Sequence, residues 1–198
     1  MKNLVLTLAL LTAGTSLAVG QARPAASRLG DLQVGATYSV ANPDLGVTYI
    51  RGFGAYSDFD FLRHIGVEVD FRQLNDPDDA QPNRFFQRSY EVGGRYFWRF
   101  GNLKPYGKAL YGRGQFSSPQ ALIQNQLEAG EPAYPTIATN MIDFGVGADF
   151  AVQSHINIRV EGEYQRWFSS HYPLGNGLTP TMVNFGVAYH FPPGKPRR

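Results

Sequence analysis

The last run of apolar residues, Thr181 to Phe191 (TMVNFGVAYHF), constrains the fold more than any other stretch. One side carries Thr181, Val183, Phe185, Val187, Tyr189 and Phe191, and the other carries Met182, Asn184, Gly186, Ala188 and His190. A strict period of two places a strand between two different environments.

Seven further runs repeat the pattern: Leu32 to Val40, Val47 to Ser57, His64 to Leu74, Arg88 to Arg99, Pro105 to Phe116, Met141 to Val152 and Ile156 to Phe168. The second and fifth are ambiguous in parity. Most of these runs reach the ~9–11 residues that a tilted strand needs to cross a bilayer. Links alternate between short (Asp58 to Arg63, Phe100 to Lys104, Gln153 to His155) and long (Asn75 to Phe85, Ser117 to Asn140, Ser169 to Pro180), with Ala41 to Gly46 a short exception. All 13 prolines fall in a linker, loops, strand starts or the tail, so none interrupts a ladder. The expected fold is all-β: an eight-stranded antiparallel up-and-down transmembrane β-barrel.

The apolar face is expected to meet lipid. The opposite face is rich in glycine (Gly35, Gly66, Gly93, Gly145, Gly147, Gly186), as a crowded interior requires. The apolar face ends in aromatics, Tyr96, Trp98, Tyr164, Tyr189 and Phe191, which suit an interfacial girdle. An Arg or Lys facing lipid at the midplane costs roughly 2–4 kcal/mol, so charge fixes parity. Glu68, Asp70, Glu91, Asp143, Asp149, Glu161 and Glu163 are therefore expected inside with Arg72, Arg95, Arg99 and Arg159. The acids outnumber the bases, which predicts inward cations from the ambiguous strands: Arg51, and either Lys108 or Arg113. An eight-stranded lumen is only wide enough for side chains, so a paired charge network is expected in place of an open pore.

Upstream, Met1 to about Ala22 reads as a cleaved signal peptide, with Lys2, an apolar run and candidate cleavage sites after Ala18, Gly20 or Ala22. Residues 23–30 form a linker, 31–191 the barrel and 192–198 a short periplasmic tail. The chain has no Cys, which excludes disulfides, thiolate chemistry and a lipoprotein anchor. A formal charge of +2 gives no bulk attraction to nucleic acid.

Candidate chemistry is sparse. His64, His155 and His190 lie near the expected periplasmic ends, and only His171, beside Ser169 and Ser170, lies in an outer loop. Adjacency alone does not make a triad, so no catalytic residues are assigned. Asp76, Asp78 and Asp79 lack the Gly and downstream Glu of a calcium loop, so no metal site is assigned either. No cofactor is expected.

The leader, the eight alternating runs, the Pro105-Tyr106-Gly107 entry and the closing strand ending in Phe191 resemble the small outer-membrane barrels related to the barrel domain of outer-membrane protein A. The resemblance spans about Gly30 to Phe191 and implies residence in the cell outer membrane, with both termini periplasmic. It implies that Val187, Tyr189 and Phe191 are read by the barrel-assembly machinery. The expected partners are that machinery and outer-membrane lipid or lipopolysaccharide, with the chain a monomer. The expected role is non-enzymatic, in membrane integrity or surface interaction. The alternatives are a narrow ion or solute channel, a lipid A-modifying enzyme and a soluble lipocalin-like carrier, because one scaffold hosts many roles.

Overall fold

The computed structural model describes residues 30–44, 49–77, 85–117, 127–128, 136–168 and 177–191. The expected leader, most of the linker, the tail, Asp78, Asp79, His171 with its two serines, and most of the Ser117–Asn140 loop lie outside them.

Eight strands follow in order: β1 (Asp31–Asn42), β2 (Ile50–Asp60), β3 (Ile65–Asn75), β4 (Phe86–Phe97), β5 (Leu103–Ser117), β6 (Thr136–Gln153), β7 (Ile156–Trp167) and β8 (Thr181–Phe191). Each pairs antiparallel with the next, and β1 pairs with β8 to close the barrel. Short connections gather at one end (the turn end, with both strand termini) and long ones at the other (the loop end). Gly101, at φ 58°, lets the β4–β5 turn reverse within five residues, 98–102.

The two faces are inverted relative to a soluble protein. Val67, Val69, Val92, Val146, Phe144, Phe185 and Val187 point outward and are exposed, whereas Glu68, Asp70, Arg72, Asp143 and Arg159 are buried in the lumen. A soluble carrier would need the opposite arrangement.

Register sets the geometry. Following paired residues from Asp31 gives Asp60, Gly66, Arg95, Lys108, Gly145, Glu163, Met182 and finally Ala41, back on β1. The sheet thus closes with an offset from residue 31 to residue 41. At ~3.3 Å per residue and ~4.8 Å per strand, this offset tilts the strands by about 40°. Each step to the next strand climbs by about one and a quarter residues.

Several expectations need correction. The second strand runs three residues further than Ser57, so Asp58 and Asp60 are strand residues pointing inward and not part of a turn. Arg51 faces outward, not into the lumen. It stands at the loop end, where an outward charge costs about 0–1 kcal/mol, so the parity argument from charge has no force there. Arg99 lies beyond the end of β4, its side chain 51% exposed at the turn-end rim. Pro105 is the third residue of β5, not its start, and its carbonyl accepts from Trp98 N at 3.0 Å.

Candidate functional site

The lumen has two layers. At the loop end, Ala41, Ile50, Leu74, Phe85, Phe116, Ile137, Met141, Trp167, Leu178 and Met182 form one buried apolar cluster. Phe116 meets Trp167 edge-on at 5.7 Å. Gly114 faces the Trp167 ring, leaving no room there for a Cβ. Trp167 Nε1 donates to Gln165 Oε1 at 2.9 Å, which satisfies the indole N–H at the lower edge of this layer.

Beneath it, ion pairs fill the interior. Arg72 donates to Asp70 at 2.5 Å and Glu163 at 2.5 Å, with Asp143 at 3.9 Å. Lys108 Nζ lies 2.7 Å from Glu68, 2.6 Å from Glu163 and 3.0 Å from Glu161, joining this group to a lower one. In the lower group Arg159 binds Asp149 at 2.7 Å, Asp58 at 2.5 Å and Glu68 at 3.3 Å, while Arg95 binds Asp149 at 3.0 Å and also Asp58. The guanidinium of Arg159 stacks 3.8 Å from the Tyr56 ring centroid, and that of Arg95 4.2 Å from Tyr106. Glu91 is reached through Gln165 Nε2, which donates to Glu91 at 3.3 Å and to Asp143 at 3.1 Å. Of the eleven charged residues expected inside from the clear strands, ten face inward and Arg99 stands at the rim; among the described residues, nine of those ten take part in ion pairs.

The ambiguous fifth strand supplies Lys108, with Arg113 outward. Sequence reasoning missed Asp58 and Asp60, although the alternation Ser57-Asp58-Phe59-Asp60 was there to extend the strand. It also missed the loop-end apolar layer, because Ile50, Leu74 and Phe116 break the rule that inward positions are polar.

At the turn end a cavity of about 210 Å³ is lined by Asp31, Arg99, Lys104, Asp149, Asn157 and His190. Lys104 pairs with Asp60 at 3.1 Å, Arg99 with Asp31 at 3.1 Å, and His190 with Asp31. His64 and His155 lie in turns at this end, His64 Nδ1 donating to the Phe97 carbonyl at 3.0 Å. Among the described residues no three His, Asp or Glu side chains converge as metal ligands.

On the outer surface, the aromatics singled out from the sequence separate into two levels. Tyr96, Trp98, Tyr189 and Phe191 ring the turn end, with Tyr96–Trp98 at 4.7 Å and Tyr189–Phe191 at 4.6 Å. Tyr164 belongs to an upper ring with Tyr38, Phe53, Phe71, Tyr90 and Tyr111; Tyr38–Phe53 lie 5.4 Å apart and Phe71–Tyr90 5.1 Å. The span between a turn-end aromatic ring and the loop-end polar positions is roughly 20–25 Å at ~3.3 Å per residue and this tilt. That matches the ~25 Å apolar band of an outer-membrane barrel.

The sequence matches the outer membrane protein beta-barrel domain over residues 7–191. The chain belongs to that family. Solved structures of other proteins resemble it in fold. Neisserial surface protein A superposes with a TM-score of 0.58 at 14% identity, covering 82% of this chain and 97% of that one. OprG from Pseudomonas aeruginosa gives 0.57 at 15%, covering 83% and 97%. The attachment invasion locus protein Ail of Yersinia pestis gives 0.51 at 18%, covering 82% and 97%. No curated protein matches the sequence. The protein is thus an outer-membrane β-barrel, and its apolar exterior faces lipid.

Proposed function

We propose that this outer membrane protein beta-barrel domain is a non-enzymatic, non-conducting scaffold whose loop end faces the cell exterior and carries surface interactions. The supporting observation is the layering of the lumen: an apolar cluster around Trp167 and Phe116 lies across the loop end, above the ion pairs of Arg72, Lys108, Arg95 and Arg159. An ion entering from either end meets a dry layer or a set of charges already paired, and each is a barrier. Short turns on the inner side and longer loops outside are the usual sidedness of such barrels, which favours periplasmic termini. Two girdles of aromatics anchor the barrel in the two interfaces, and Val187, Tyr189 and Phe191 on the lipid face of β8 serve as the assembly signal.

Planar-bilayer recording of the purified full chain tests this reading. No discrete conductance steps are expected from the wild type, nor from Phe116→Ala/Trp167→Ala, in which the ion-paired layer still closes the lumen. Resolved steps from the wild type would establish the channel reading instead.

A further inference from the structure

We infer that the lipid face of β4 to β7 holds a specific site for a phosphorylated, multiply acylated lipid of the outer leaflet. The site has phosphates on a ring of arginines and an acyl chain in a groove below. The inference does not depend on whether the lumen conducts.

The first observation is the charge pattern of the outer face. Among the described strand residues, no acidic side chain and no lysine points outward. The outward charges are Arg51 on β2, Arg88 on β4, Arg113 on β5 and Arg166 on β7. Allowing for the climb between strands, the four fall within about one residue of a common level near the loop end. Each stands two residues outward of an upper aromatic: Phe53, Tyr90, Tyr111 and Tyr164 respectively. Arg113 is paired in register with Tyr90, and Gln115 with Arg88, so these two arginines are diagonal neighbours. The turn end has no such belt, as its outward positions are Leu32, Phe59, Ile65, Tyr96, Phe150 and Tyr189. Cations of one sign at one interface select an anionic headgroup, and guanidinium favours phosphate because its fork matches two oxygens.

The second observation is steric. Below Arg88, Arg113 and Arg166, on the same strands, the lipid face carries a shallow, open groove of about 1070 Å³. Its floor is Gly94, Gly107, Ala109 and Gly162, and its walls include Tyr96 and Tyr164. Gly94 pairs across the strands with Ala109, Gly107 lies two residues along β5 from Ala109, and Val146 links Gly107 to Gly162. A Cβ placed at Gly94 or Gly162 would meet nothing within 4 Å, so packing of the protein does not require glycine at either position. The groove lies roughly 10–16 Å below the arginine level, about the depth of one leaflet of a ~30 Å hydrocarbon core. Headgroup and acyl chain of one lipid thus span the two features.

The test is native mass spectrometry of the full-length barrel, released from mixed micelles containing bisphosphorylated hexa-acyl lipid A. Parallel samples contain the same lipid after dephosphorylation, or phosphatidylethanolamine. Arg88→Gln/Arg113→Gln/Arg166→Gln should retain at least about tenfold less lipid A than the wild type, a loss of ~1.4 kcal/mol. Gly94→Val/Gly162→Val fills the groove with β-branched residues that suit strands, and should show a similar loss with all arginines present. Heat-modifiable gel migration verifies that both variants fold. Wild-type retention in either variant, equal retention of the dephosphorylated lipid or of phosphatidylethanolamine, or paired barrels carrying no lipid would each overturn the inference.

Discussion

Arg159 holds three carboxylates, those of Asp58, Asp149 and Glu68, and lies against the face of Tyr56. Its side chain is 1% exposed, so removing the guanidinium strands those charges without solvent. Arg159→Leu is expected to destabilise the barrel by about 3–5 kcal/mol, measured by urea unfolding in lipid vesicles. Adding Asp149→Asn should recover part of the loss, which a double-mutant cycle would register as coupling. Independent costs that simply add would refute the shared network. Much of this network is legible in the sequence, because Arg159, Glu161 and Glu163 alternate with Ile158, Val160 and Gly162, and only one parity keeps three charges out of hydrocarbon. The pairings are not legible: Lys108 touches residues of β3 and β7, which only a closed barrel brings together. Arg51 shows where charge parity loses its force, at the headgroup level where an outward arginine is tolerated.

Among the strands, β8 has the cleanest alternation, and it is also the one that meets the first strand, from Leu32↔Phe191 to Asn42↔Thr181. Its outward row ends in Val187, Tyr189 and Phe191 at the turn end. Tyr189→Ser/Phe191→Ser removes two exposed rings while leaving the inward face and the ladder intact. If these rings are an assembly signal, the variant should reach the outer membrane at well under the wild-type level, yet refold from urea into vesicles with near-normal yield. Equal losses in both assays would mean that the rings matter for intrinsic stability alone. By contrast the sequence of β2 does not delimit it, because aromatic residues occupy both of its faces: Tyr56 inward beside Gly52 and Gly54, Phe53 and Phe59 outward. Without a contrast in polarity, alternation gives neither a parity nor an end.

Taken as one object, the barrel is held by a continuous ladder in which every strand has two neighbours. Its stability is therefore cooperative, and the full chain should migrate differently on gels with and without boiling after isolation from the outer-membrane fraction. A single boiled-like band from unboiled membranes would contradict the closed ladder. The fold class and strand count could be read from hydrophobic period and loop length alone. The offset between residues 31 and 41 could not, since it emerges only when eight separate pairings are followed around the circle.

Closure also imposes an order on the life of the molecule. Because the first strand pairs with the eighth, a sheet of β1 to β7 has two bare edges until this eleven-residue strand is added. An unclosed sheet leaves backbone donors and acceptors at its edges without partners, which hydrocarbon does not tolerate, so closure by β8 is what makes the membrane-spanning form complete. In a barrel of this kind the arrival of the eighth strand, not the making of the first, is the moment at which the closed structure becomes possible.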